Sequence, residues 1–305
     1  MAVTAQTLPR ARLAGTGIHW RSVAFESVLL LSLLLSLGIL FTLLADVLQR
    51  GLPVLQERGL EFLSSPSSAR ASRAGVAQGI FGSVMMAVFV SIFAFPIGIL
   101  TAVYLEEYAP DNRLTRFINV NIRNLAGVPS VVYGLLGLTI FVVTLKGVTG
   151  GRTMIAGGIT LAALVLPIVI ITSAEAVRAV PRALREAGYG VGASRWEVTR
   201  LLVLPYAAPG ILTGTVLSLS RALGETAPLL LVGAILGGFS SGNKNALEQF
   251  FGSYTALPVT IFGWSTRAQT DFRELTAAAI IVLLVITLLT NAIAILLRNR
   301  YERTW

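Results

Sequence analysis

The sequence predicts an all-α polytopic membrane protein with six transmembrane helices, and three observations predict it. Hydrophobic residues make up 54% of the chain and charged residues only 13%, a balance that argues against a water-soluble fold. The apolar residues gather into long charge-free runs, each long enough to cross the roughly 30 Å hydrocarbon core of a bilayer as a helix. The basic excess, 24 Lys and Arg against 15 Asp and Glu, is scattered between those runs and lies mostly on one side of them. That pattern reads as a topology signal rather than a nucleic-acid surface. The chain has no Cys and one His, which excludes a disulfide, an iron–sulfur cluster and a thiol nucleophile. His19, in the N-terminal tail, supports neither an HExxH zinc site nor a Ser/His/Asp triad, so no metal site is expected.

Residues 1–26 read as a basic cytoplasmic tail carrying Arg10, Arg12 and Arg21. The Leu-rich run Ser27–Ala45 is longer than a signal-peptide apolar region, and no small-x-small cleavage site follows it. It predicts a retained first span. Asp46–Arg73, with Pro53, Pro66 and the string SSPSSARASR, predicts an outer loop, so residues 27–78 hold the first span and that loop. The second run, Ala74–Leu105, is longer than one span needs and has Pro96 inside it. Glu106, Glu107, Asp111, Arg113, Arg116 and Arg123 then read as a short charged loop.

The third run, Asn124–Leu145, opens NLAGVPSVVYGLLGL. Pro129 predicts a kink at its start, and Gly127, Gly134 and Gly137 are spaced for close helix packing. After a turn at Lys146–Arg152 comes the fourth run, Thr153–Ala174, with Pro167 toward its far end. The fifth, Leu201–Asn243, is broken by only two charges, Arg221 and Glu225. The sixth, Leu275–Leu297, precedes a cytoplasmic tail at 298–305. Six spans place both termini on one side, and Lys and Arg are more numerous there, which makes that side cytoplasmic.

The loop Glu175–Arg200 carries the strongest local signals. Pro181 suits the first position of a helix over PRALREAGYGVG, and Gly190 and Gly192 offer left-handed termination. Ser194-Arg195-Trp196-Glu197 has the spacing of a capping box, which predicts a second helix from Arg195. Val198, Leu201 and Leu202 should share its apolar face, with Pro205 limiting its continuation. Glu186-Ala187-Gly188, then Gly192, then Leu202, Leu204 and Pro205 resemble the EAA loop of ABC importer membrane subunits. That pattern is EAA, three residues, Gly, nine residues, Ile-x-Leu-Pro. Gly188 stands for its second Ala and Leu202 for its Ile. The resemblance implies a coupling helix within residues 181–205 that docks on an ATP-hydrolysing subunit, and it says nothing about the cargo.

Arg221 and Glu225 are four residues apart, close enough to pair on one helix face. Thr226 follows, and Pro228 should open the helix beside them. A charge at mid-bilayer depth costs ~2.5–3.5 kcal/mol on insertion scales, so the two residues need a reason to be there. One reason is an ion pair that fixes helix packing. The other is an anion site, because a guanidinium binds phosphate or carboxylate through two parallel hydrogen bonds. The exposed helix-end pair Glu175 and Arg178 is a candidate second polar station.

The string SRALGETAPL at Ser220–Leu229, with NLAGVPSVVYGLLGL and with YTALPVTIF at Tyr254–Phe262, resembles phosphate ABC permeases of the PstA type. The similarity runs from about Gly79 to Leu297. It implies a core permease domain at 79–297 with the type I ABC importer (MetI-like) fold, in the bacterial plasma (inner) membrane. It also implies import of inorganic phosphate with three kinds of partner: a second related permease, two copies of a P-loop nucleotide-binding subunit, and a periplasmic or surface-tethered phosphate-binding protein. Membrane lipid surrounds such a chain, and no nucleic-acid partner is expected. The sequence has no G-x-x-x-x-G-K-[ST], so ATP and Mg²⁺ belong to partner ATPases, and no cofactor and no enzymatic activity are expected in this chain. The outer loop Phe239–Glu274 would face the binding protein, and its Phe250, Phe251, Tyr254, Phe262 and Trp264 are expected to serve a partner surface and an aromatic belt. Two alternatives stand: an ABC permease for another oxyanion such as phosphonate, sulfate or molybdate, and an ATP-independent secondary transporter.

Overall fold

The computed structural model describes residues 20–238 and 250–301. Arg10, Arg12, His19, Arg303 and the start of the expected outer loop from Phe239 lie outside the described residues. Every regular element among the described residues is helical. Residues 1–46 and 47–305 form two compact units. The described part of the first belongs to α1 (Trp20–Ser64), and nearly all its side chains, Leu30, Leu34 and Phe41 among them, are exposed. Lipid tails are as apolar as those side chains, so that exposure suits a bilayer.

In the second unit α1 continues where a loop was expected. Asp46–Ser64 is helical, with Pro53 inside it. Its polar composition hides an apolar stripe, and Val54 and Phe62 from that stripe are buried against residues of the last helix. The true break falls at Gly59, whose φ of 38° and ψ of −117° lie in a region that L side chains rarely adopt.

The second span is α2 (Ala77–Val103), which runs on through a π-helical turn at Tyr104–Tyr108. The expected charged loop beyond it holds a 14-residue amphipathic helix, α3 (Arg113–Ala126), started by the Asn112 side chain, which accepts the Thr115 N–H at 2.9 Å. The chain then turns by 102° into α4 (Ser130–Gly137) and a second π-helical turn, Leu138–Thr144. Pro129 does more than kink the run: it sits extended at φ −56° and ψ 139° and starts a new helix. A short helix, α5 (Lys146–Thr149), ends on left-handed Gly150.

The central helix is α6 (Met154–Arg178), capped by Thr153, with Pro167 inside it. It packs against α2 and α9 and carries more buried residues than any other helix among the described residues. Beyond it come α7 (Arg182–Gly190), α8 (Arg195–Val198), a third π-helical turn at Thr199–Val203, and α9 (Leu204–Gly224). Pro205 does not stop the helix, which runs unbroken from Arg195 to Gly224 with the wider π-helical turn Thr199–Val203 just ahead of the proline. α10 (Ala227–Val232) follows a break. After the undescribed stretch come α11 (Leu257–Ser265) and α12 (Asp271–Tyr301). Five helices are long and apolar enough to cross a membrane, and the bent α3–α4 pair would make a sixth.

The aromatics expected to face outward divide. Phe251 and Phe262 are about half exposed, while Tyr254 and Trp264 are fully buried. Trp264 lies between Phe62 and Phe272, with ring centroids 6.3 and 5.9 Å away, so it is a core residue rather than part of a belt or a partner surface.

Candidate functional site

Helix α9 ends at Gly224, and the chain is extended at Glu225, with φ −78° and ψ 123°. The cause lies four residues ahead: Pro228 has no N–H to give the Gly224 carbonyl, and its ring would collide with that carbonyl in a continuing helix. Pro228 instead takes the first turn of α10. Arg221 and Glu225 therefore do not share a helix face as the spacing predicted. They meet across the break, Arg221 Nε to Glu225 Oε1 at 3.4 Å, with 46% and 17% of their side chains exposed. Arg221 sits in the last turn of α9, where the helix dipole favours a cation. Thr226 forms the entry to α10 and is half-buried.

The surroundings of this break are built from the three strings singled out in the sequence. Tyr133 of α4 donates its hydroxyl to the Leu125 carbonyl at 3.0 Å. Gly134 lets α4 close on α10: a Cβ there would lie 2.7 Å from Leu231 Cδ1 and 2.8 Å from Pro228 Cα. Gly137 packs as tightly, against Thr160, whereas Gly127 has no such neighbour. Tyr133, Ala222, Leu229 and Tyr254 then share one buried cluster. The Ser220 hydroxyl is hydrogen-bonded to Asn291 of α12, a polar partner between helices that the sequence did not single out.

At the end of the bundle where α6 gives way to α9, the capping box forms as its spacing predicted. The Ser194 hydroxyl accepts the Glu197 N–H at 3.4 Å, and the Glu197 carboxylate accepts the Ser194 N–H at 2.8 Å. The Ser194 hydroxyl also donates to Glu197 Oε2 at 2.7 Å, and that bond, with the one from the Ser194 N–H, holds the Glu197 carboxyl below its ordinary range. Gly192 is left-handed at φ 84°, whereas Gly190 remains in helix α7. Pro181 stands one residue ahead of its expected place, as the cap of α7.

Glu186 and Ala187 are exposed on α7, with Tyr189, Val191 and Trp196 exposed beside them. The opposite face is buried. Gly188 packs where a Cβ would be 2.8 Å from Leu202 Cδ1 and 2.9 Å from Val198 Cγ2. Leu202 and Leu204 line the same cluster, and Pro205 is exposed. Leu201, expected on the buried face with Val198 and Leu202, is 65% exposed. The π-helical turn from Thr199 changes the angular step per residue and turns Leu201 outward.

Glu175 and Arg178 do not pair with each other. The Arg178 guanidinium binds Glu106, Nε to Oε2 at 3.2 Å, while Glu175 acts on it only at longer range. Beside them, Arg185 of α7 reaches Glu107 Oε1 at 2.8 Å. Sequence reasoning missed Glu106, Glu107 and Arg185, since their partners lie more than seventy residues away and only the doublet of carboxylates at the end of an apolar run hinted at them.

A family model described as "Binding-protein-dependent transport system inner membrane component" matches residues 94–303. Over 285 residues the chain is 31% identical to "Phosphate transport system permease protein PstA" of Pasteurella multocida (strain Pm70), covering 92% of this chain and 97% of that one. It is 34% identical over 223 residues to "Phosphate transport system permease protein PstA 1" of Mycobacterium tuberculosis (strain CDC 1551 / Oshkosh), covering 73% of this chain and 70% of the relative. Among solved structures, a chain of "Crystal structure of bacterial alginate ABC transporter in complex with alginate pentasaccharide-bound periplasmic protein" superposes with a TM-score of 0.68. That match covers 93% of this chain and 96% of the other at 15% identity, a likeness of fold alone.

Proposed function

This chain belongs to the family of binding-protein-dependent transport system inner membrane components, and from that membership we propose that it is the transmembrane permease subunit of an ATP-driven importer of inorganic phosphate. One observation carries the reading. A guanidinium stands 46% exposed beside a helix break, with Glu225 the one other charge in its apolar run Leu201–Asn243, on a chain whose near-full-length relative is named a phosphate permease.

The chemistry follows from the break. Glu225 approaches Arg221 through Nε, which neutralises the guanidinium when no anion is present and leaves the two Nη groups for a passing oxyanion. Thr226 adds a hydroxyl at the same break. Arg221, Glu225 and Thr226 thus form a polar stage in the pathway, shared with a second, related permease. Such a stage favours negative charge without distinguishing one oxyanion from another, so selectivity rests with a phosphate-binding protein on the outer side.

Two copies of a P-loop ATPase subunit bind ATP and Mg²⁺ and drive the cycle. They dock on the exposed face of α7 and α8, where Glu186, Ala187, Tyr189, Val191 and Trp196 stand clear of the bundle. Gly192 makes the turn between the two helices, and Leu202, Leu204 and Pro205 anchor their base to the spans. Glu175 and Arg178 form a second polar station at this end, with Arg178 drawn toward Glu106. Both termini are cytoplasmic, in a bacterial inner membrane.

The test is co-purification followed by uptake in proteoliposomes. The chain is expected to purify with an ATPase and a second permease, and to import labelled phosphate only when ATP is inside the ATPase compartment. Full activity of the isolated chain on an ion gradient would overturn the reading in favour of a secondary transporter. Competition by unlabelled phosphonate, sulfate or molybdate at equal concentration would move the cargo to that oxyanion.

A further inference from the structure

Three consecutive residues at the inner end of the second span each hold a different part of the coupling region. Glu106 binds Arg178, the last residue of α6. Glu107 accepts Arg185 of α7, through Nε at 3.1 Å and Nη2 at 2.8 Å. Tyr108 donates from its hydroxyl to Thr199 Oγ1 at 3.5 Å, at the start of the π-helical turn after α8, and Arg195 lies over its ring at 5.1 Å. All three belong to the π-helical turn Tyr104–Tyr108. π-Helical turns are rare and concentrate at functional positions.

The middle contact is the most demanding. The Glu107 side chain is 5% exposed and that of Arg185 19%, so both charges are withdrawn from water. The same guanidinium also donates to the Val180 and Val177 carbonyls, at 2.6 and 2.8 Å, and so closes the end of α6. A buried ion pair of this kind is a poor source of stability, because desolvation offsets the attraction, and apolar residues of similar size often serve as well. What it does supply is direction: a fork of donors held by one carboxylate and two carbonyls fixes α7 against α2 and α6 in a single orientation.

We propose that the turn Tyr104–Tyr108 is the receiver for coupling-helix movement, with Glu107 and Arg185 as the positioning pair that passes displacement of α7 to the second and fourth spans. The proposal rests on the reading of residues 181–205 as the ATPase-docking segment. When the docked ATPases close, α7 moves with them. Arg185 carries Glu107 and the end of α6 along, while Arg195 and Thr199 carry Tyr108. The second span is thereby driven from its inner end, rather than α9 alone through its covalent link to α8.

The test uses the complete complex in proteoliposomes, with ATP hydrolysis measured with and without phosphate-loaded binding protein and labelled inorganic phosphate as the transported probe. Glu107→Gln keeps the size of the side chain and removes its charge. It is expected to leave ATPase attachment and basal hydrolysis intact while lowering both the stimulation by loaded binding protein and the phosphate moved per ATP by about tenfold, within the range that couplings between sites span. Wild-type stimulation and transport in an assembled Glu107→Gln complex would overturn the proposal. Should that variant fail to assemble, Glu106→Gln on the more exposed contact carries the test, with a smaller loss of stimulation expected and unchanged coupling as the contradicting result. Arg185→Lys, which keeps the charge and loses the fork, is expected to fall between Glu107→Gln and wild type. Glu186→Lys, on the exposed face of α7, separates the two readings: undiminished ATPase attachment there would sink the docking segment itself, whatever Glu107 does.

Discussion

Gly188 shows how one missing methyl group sets the geometry of the joint between α7 and the π-helical turn Thr199–Val203. The two departures of this chain from the EAA pattern, Gly188 and Leu202, touch each other, and a Cβ at 188 would come within 2.8 Å of Leu202 Cδ1. Gly188→Ala should therefore overpack the joint between α7 and the π-helical turn, at about 1–3 kcal/mol. Leu202→Ile moves the branch from Cγ to Cβ and withdraws the conflicting atom. The double variant should recover the part of the loss owed to that atom, with the Val198 Cγ2 contact at 2.9 Å remaining, as measured by thermal unfolding of the purified protein in a double-mutant cycle. Simple additivity of the two changes would show that the contact does not set the packing. This pairing was invisible in the sequence, where the two positions stand fourteen residues apart as separate substitutions. Gly134 was legible, because small residues spaced along an apolar run predict close approach whichever helix the partner is.

Among the elements, α8 owes its start to the capping box. Ser194→Ala removes the hydroxyl that accepts the Glu197 N–H and should cost ~1 kcal/mol of local stability, read as faster amide exchange across residues 195–199. The pH dependence follows in sign from Glu197. Its folded carboxyl titrates below the ordinary value because Ser194 bonds the charged form, so its contribution is present above the unfolded pKa, about 4.3. It fades as pH falls through the depressed folded value. Exchange at 195–199 should rise through that acid range, and Glu197→Gln should remove the dependence. A pH profile unchanged by Glu197→Gln would show that the carboxylate does not hold the cap. The box was readable in advance because every group in it lies within four residues. Asp46–Ser64 and Arg113–Ala126 were not: both are amphipathic, and a rule that counts charges reads an amphipathic helix as a loop.

For the molecule as a whole, composition and run length foretold the class and the spans, since a bilayer dictates length and polarity more strictly than water does. What they could not foretell is where the spans break. The break after Gly224 depends on Pro228 acting on a carbonyl behind it, and the 102° turn before α4 depends on Pro129. In both places the proline, and not the length of the run, marked the break in the sequence. The same limit hid the contacts of the turn Tyr104–Tyr108, because hydropathy places Glu106 and Glu107 at the edge of a span without saying that Arg178 and Arg185 come to meet them.

The proposed function has phosphate pass the charged break in the fifth span on its way through an ATP-driven complex. The most direct measurement is uptake of labelled phosphate by proteoliposomes holding the complete complex, wild type against Arg221→Gln, with ATP hydrolysis followed in the same vesicles. Arg221→Gln should assemble and hydrolyse ATP but lose phosphate uptake by about tenfold or more, as expected when a charge-assisted bidentate contact is removed. Phosphate uptake at the wild-type rate through Arg221→Gln would contradict it and leave the Arg221–Glu225 pair as a packing device.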